Sequence, residues 1–121
     1  MRLLLMISLF LWLVAARAES VRMLIQSSPL AGSQYYAVGA QWEAMRVGDA
    51  LTLIREPDNR HDPLAIRVEW HGHKLGYVPR ADNRAVAAAM DRGDKLVARI
   101  EQLKPHPDPW QRVRFEVFSE L

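Results

Sequence analysis

Residues 51–70 read LTLIREPDNRHDPLAIRVEW, two strand-like runs joined by a stiff polar loop. In residues 51–55, Leu51, Leu53 and Arg55 fall on one side and Thr52 and Ile54 on the other. In residues 65–70, Ile66, Val68 and Trp70 alternate with Ala65, Arg67 and Glu69. A period of two is the pattern of a half-buried strand. Pro57 and Pro63 fix φ and cannot donate to a ladder, while Asp58, Asn59 and Asp62 can bond back to nearby backbone N–H groups. Two readings follow: a well-made turn, or a functional loop held rigid with its side chains outward.

Downstream, His71-Gly72-His73 predicts a tight turn into a short strand over residues 74–78, with Leu75 and Tyr77 on one face. Asp82 or Asn83 can cap a helix whose Ala-rich residues 85–90 place Val86, Ala89 and Met90 on one face, and Gly93 ends it. Residues 94–103 alternate as a strand, Pro105, Pro107 and Pro109 predict an extended connection, and residues 110–118 alternate as a closing strand. Upstream, Val47-Gly48-Asp49 turns the chain into residues 51–55, and residues 41–46 suit a short helical turn or a connector. Tyr35, Tyr36 and Val38 suggest a strand that resumes after a loop over residues 27–33, and residues 21–26 alternate as the first strand. About six strands and one helix in roughly a hundred residues predict a mainly β fold, a small barrel or sandwich.

Met1-Arg2, an uncharged apolar run over residues 3–14 and the small residues Ala16 and Ala18 form the pattern of a secretory signal peptide. The run is short for a membrane span, so cleavage is expected after Ala18, with export to a periplasm or beyond; an uncleaved anchor is the alternative. The leader takes Arg2 and Arg17 and no acid, which leaves fourteen basic and fourteen acidic residues in residues 19–121. A formally neutral chain has no global field to gather phosphates, so any nucleic-acid binding has to be local. There is no cysteine, hence no disulfide and no thiol nucleophile. Residues 19–121 suffice for one domain, expected to be monomeric.

No G-x-S-x-G elbow, P-loop or H-E-x-x-H motif is present, and no catalytic constellation emerges. His71 and His73 flank a turn glycine and could share a zinc ion, but nothing in the sequence completes a recognised ligand set. Solvated turn histidines are the plainer reading. The two tyrosines carry a similar choice: core residues of a strand, or one ring inward and the other open for stacking.

Arg55-Glu56-Pro57-Asp58-Asn59 followed by Asp62-Pro63 and Ala65-Ile66-Arg67-Val68 resembles the core signature of the HIRAN domain. Ser28-Pro29-Leu30-Ala31-Gly32, Tyr35-Tyr36, Val47-Gly48-Asp49, Leu75-Gly76-Tyr77-Val78-Pro79-Arg80 and Asn83 extend the match over about residues 25–103. The resemblance implies a compact OB/SH3-like β-barrel with peripheral helices, acting as a binding module for single-stranded nucleic acid or its 3′ end. It implies Tyr35 as the first stacking aromatic, with Tyr36 beside it. Asn59 and Asp62 match the polar loop positions, Asp62 being the candidate acceptor for a terminal sugar hydroxyl. Tyr77 falls beside the nucleotide and Arg80 at a phosphate-facing position. Four positions depart from the pattern: Gln34 stands where an Arg is found in DNA-end binders, Arg60 where Pro is common, His61 where a second stacking aromatic is usual, and Leu64 where Asn is frequent.

The sequence therefore points to an exported nucleic-acid-binding module. A periplasmic protein-interaction module is the runner-up, and a metal-assisted phosphoester hydrolase is the third reading.

Overall fold

Antiparallel ladders link all six strands of the fold: β1 (Arg22–Pro29), β2 (Ala50–Arg55), β3 (Ile66–Trp70), β4 (His73–Tyr77), β5 (Leu96–Leu103) and β6 (Val113–Glu120). Their order across the sheet is β1-β6-β5-β2-β3-β4. The computed structural model describes residues 21–121, so the leader read over residues 1–18 lies outside it. Among the described residues no helix is long and apolar enough to cross a membrane.

The alternation in residues 51–70 is realised in space. Ile66, Val68 and Trp70 are buried on one face of β3 while Arg67 and Glu69 face outward. Val113, Phe115 and Val117 of β6 and Ala98 and Ile100 of β5 complete that inner face. Helix α2 (Asn83–Asp91) lays Val86, Ala87 and Ala89 against it. Each fully buried aliphatic or aromatic side chain contributes about 1.5–3 kcal/mol relative to exposure, so this layer carries the fold.

The expected barrel is only approximated. The six-stranded ladder does not close; one isolated bridge spans the gap, in which Ala31 and Tyr77 exchange N–H···O bonds of 2.9 Å in both directions. The segment after β1 thus crosses from β6, where the Leu30 N–H donates to the Val113 carbonyl at 3.1 Å, to β4. Gly76 makes the crossing possible, since a Cβ there would collide with the Ala31 carbonyl oxygen and press on Leu30.

Four local expectations are corrected. Residues 35–38 are not a strand: Gly32, at φ 73°, turns the chain into a 3₁₀ turn (Ser33–Tyr35), followed by the short helix α1 (Val38–Gln41). The first half of β1 does not bury alternate residues: Met23 and Leu24, which point to opposite faces, are both exposed at this end of the strand, and a bulge follows between Leu24 and Gln26. Residues 109–111 form a 3₁₀ turn as well (Pro109–Gln111), so the closing strand begins at Val113 and runs to Glu120. Neither Asp82 nor Asn83 caps α2 through its side chain. The Asp82 carboxylate accepts from the Ser28 hydroxyl at 3.3 Å, and the Asn83 amide is turned to Asp62.

Candidate nucleic-acid interface

The loop between β2 and β3 is held by its own polar groups. The Glu56 N–H donates to the Ala65 carbonyl at 2.9 Å and closes its base. The Asn59 side-chain oxygen accepts from the N–H groups of His61, at 2.9 Å, and Asp62, at 3.1 Å. Arg55 clamps the loop from outside, donating to the carbonyls of Pro63 and Ala65 and pairing with Asp91 of α2 at 2.9 Å. Buried or half-buried backbone groups need such partners, and here side chains supply them.

Beneath the loop lies a polar hub absent from the sequence-derived site. Glu56 Oε1 accepts from the Asn59 amide and from the Tyr77 hydroxyl, both at 2.9 Å, and Oε2 accepts from Arg67 at 2.8 Å. Burial opposes the charge on Glu56, but the Asn59 and Tyr77 hydrogen bonds, with Lys74 and Arg67 nearby, hold its pKa below the usual carboxylate value. Lys74 Nζ donates to the Tyr77 hydroxyl at 2.8 Å and sits 4.1 Å from the Tyr36 ring centroid and 4.6 Å from that of Tyr77. Burial works against that ammonium too, yet the two phenols raise its pKa above the ordinary value. Glu56 stands inside the quoted signature without a role of its own and Lys74 just outside the Leu75–Arg80 motif; both look like solvated charges until the two strands and the loop bring them together.

Asp62 faces the same space. Its Oδ1 accepts from the Leu64 N–H at 2.9 Å and its Oδ2 from the buried Asn83 amide at 2.8 Å, with Arg80 Nε 3.7 Å away. The Leu64 N–H lowers its pKa most; burial opposes this, and Asn83, Arg80 and Arg55 add to the lowering. An ionised carboxylate has about four acceptor sites, so one more donor can be accommodated. Arg80 Nη2 donates to the His61 carbonyl at 2.8 Å while its side chain stays 72% exposed.

These groups line one cleft of about 250 Å³ between the loop, the start of β3, the end of β4 and the segment after β1. It brings together Tyr36, Asn59, His61, Asp62, Tyr77 and Arg80. Tyr36 and Tyr77 meet edge to face, with centroids 6.0 Å apart. Tyr35 is not among the lining residues; it stands on the neighbouring 3₁₀ turn with 78% of its surface exposed. The deeper aromatic is therefore Tyr36, and the adjacent Tyr35 projects outside. Asn59 spends its amide and its carbonyl on the loop, which makes it a positioning residue.

His71 and His73 lie elsewhere, packed around Trp70 with centroid separations of 4.2 and 6.2 Å. Among the described residues no three His, Asp or Glu side chains are grouped to hold a metal ion.

The family model of the HIRAN domain matches residues 24–121. The chain belongs to the HIRAN domain family. HIRAN domains are in general nucleic-acid-binding modules rather than catalytic ones. The crystal structure of a protein from Lactobacillus plantarum is similar to this HIRAN domain, with TM-score 0.71 and 28% identity, covering 84% of this chain and 98% of that one. The HIRAN domain of human HLTF shares the fold, with TM-score 0.59 and 19% identity over 82% of this chain and 78% of its own. A Fanconi-associated nuclease 1 homolog of Oryza sativa subsp. japonica is 38% identical over 52 residues. That match covers 40% of this chain, and the chain spans only 5% of the nuclease homolog's length.

Proposed function

We propose that this HIRAN domain binds a single strand of nucleic acid by its 3′ end, in the cleft between the β2–β3 loop and β4. The observation that carries the reading is the convergence of three kinds of group on one cleft: the rings of Tyr36 and Tyr77, the Asp62 carboxylate and the exposed Arg80 guanidinium. Stacking on an aromatic face contributes about 1–3 kcal/mol per base and tolerates any sequence. A carboxylate accepts from a terminal sugar hydroxyl and repels a phosphate, so it favours an end over an internal position. Arg80 supplies the cation for the last phosphate, its position fixed by the His61 carbonyl. Tyr36 takes the stacking role first given to Tyr35, while His61 forms the rim of the cleft.

Export belongs to this proposal. With residues 1–18 read as a cleaved leader, the domain meets nucleic acid outside the cytoplasm. Titration of the purified protein with short oligonucleotides bearing a free or a phosphorylated 3′ end tests the reading. The free end is expected to bind more tightly, and equal affinity for both removes the role given to Asp62.

A further inference from the structure

A second groove lies on the outer face of β5 and β6. Trp110, Lys104, Arg114, Gln102 and Gln111 line a depression of about 150 Å³. We propose that this groove is a second nucleic-acid subsite, which takes the strand as it leaves the cleft; the inference rests on the reading of the cleft given above.

Position supports it first. Ser33 donates its hydroxyl to the Pro109 carbonyl at 3.4 Å, so the 3₁₀ turn carrying Tyr35 abuts the turn carrying Trp110. Arg114 pairs with Pro29 in the β1–β6 ladder, two residues before Ala31, which bridges to Tyr77 of the cleft. The cleft and the groove are thus the two sides of a single segment, residues 29–36. Tyr35, outside the lining of the cleft, is exposed on that segment.

Chemistry supports it next. Trp110 is 51% exposed on a turn that is anything but loose. Pro109 occupies the start of that turn, and the Asp108 carboxylate accepts from the Trp110 N–H at 3.0 Å. A lone exposed indole needs no explanation. An exposed indole on a turn held in place, beside two cations and two side-chain amides, matches what a stacked base and its phosphate require. Lys104 has no carboxylate within ion-pair distance among the described residues. Arg114 has only Glu101, at a loose 4.0 Å, so both cations are available to a phosphate. Residues 19–121, formally neutral as a whole, thus place two weakly engaged cations beside an exposed aromatic side chain at this groove.

The test is a length series of oligothymidylates with free 3′ ends, of about two, four and eight nucleotides, within the span of site sizes seen for small β-barrel binders. Affinity is expected to rise with length. Trp110→Ala is expected to cancel about 5- to 100-fold of that rise while leaving the shortest ligand unaffected, and Trp110→Phe to retain most of it. Lys104→Ala and Arg114→Ala are expected to flatten the salt dependence for the longest ligand only. A dinucleotide that binds as tightly as the octanucleotide overturns the second subsite and leaves the cleft reading intact. Failure of the dinucleotide itself to bind overturns both. Displacement of the octanucleotide by polyglutamate at equal charge overturns the subsite in favour of an acidic-peptide surface.

Discussion

Lys74 donates to the Tyr77 hydroxyl at 2.8 Å while its ammonium lies over the rings of both Tyr77 and Tyr36. One cation thereby ties together the two aromatic walls of the cleft, and Glu56 accepts a hydrogen bond from the Tyr77 hydroxyl on the far side. Cation–π contacts of this kind contribute about 0.5–2 kcal/mol, the upper end applying when the cation is desolvated. Lys74→Met keeps an unbranched side chain as far as the ε position and removes the ammonium. It is expected to cost about 1–2 kcal/mol of stability in denaturant titration. Oligonucleotide affinity should fall with it, because Tyr36 and Tyr77 lose their common anchor.

Glu56 has the greater share in stability. Glu56→Ala strips the acceptor from Asn59, Tyr77 and Arg67 together. Leaving half-buried donors unpaired costs about 1–3 kcal/mol for each poorly solvated group. Glu56→Gln keeps one carbonyl oxygen and is expected to destabilise less. Chemical denaturation of the two variants checks the order, and equal stability of Glu56→Ala and wild type would remove Glu56 from the hub.

Acid stability follows from the directions of two pKa shifts. Glu56 and Asp62 both titrate below their usual values of 4.5 and 3.8. A group whose folded pKa is depressed contributes stability that is complete above the unfolded value and lost as the pH falls through the folded one. Stability should therefore hold from neutral pH down to about 5 and fall progressively below about 4. Thermal melting across that range checks it, and Glu56→Gln should shallow the decline.

The two adjacent tyrosines separate the cleft from its surroundings. Tyr36→Ala is expected to weaken a dinucleotide by about 1–3 kcal/mol, whereas Tyr35→Ala should leave a dinucleotide nearly unaffected and weaken longer strands. Circular dichroism of both variants checks that neither change unfolds the domain. A larger dinucleotide loss for Tyr35→Ala would reverse the assignment of the inner ring.

Much of this was legible in residues 51–70, because alternation in β3 and proline placement in the loop are local signals that the core merely enforces. The Ala-rich stretch likewise announced α2, since propensity and burial there agree. Tyr35 to Val38 misled, as three residues of alternation cannot distinguish a strand from a 3₁₀ turn once Gly32 reverses the chain. Trp110 misled similarly, its turn being set by Asp108 and Pro109 rather than by hydrophobic period. Six of the seven residues named for the site meet in one cleft, but Glu56 and Lys74 were not foreseen. Glu56 draws its significance from Arg67 and Tyr77, 11 and 21 residues away, and Lys74 from the ring of Tyr36, brought to it from another part of the chain; these are tertiary relations.

Asp62 carries the claim of end recognition, and it is also built into the fold through the Leu64 N–H and the buried Asn83, which is only 2% exposed. Asp62→Ala confounds the two roles, since orphaning Asn83 costs about 1–3 kcal/mol by itself. Asp62→Asn keeps an acceptor for Leu64 and removes the charge, and turning over the Asn83 amide lets its oxygen accept from the new side-chain NH2. The decisive measurement is the affinity ratio between a free 3′-hydroxyl and a 3′-phosphate on the same short oligonucleotide, for wild type and Asp62→Asn at two salt concentrations. The ratio should favour the hydroxyl strongly in wild type and approach unity in Asp62→Asn, with general attraction to the strand kept or increased. A wild-type ratio near unity, or one unchanged by Asp62→Asn, would contradict recognition of the 3′ end at this cleft.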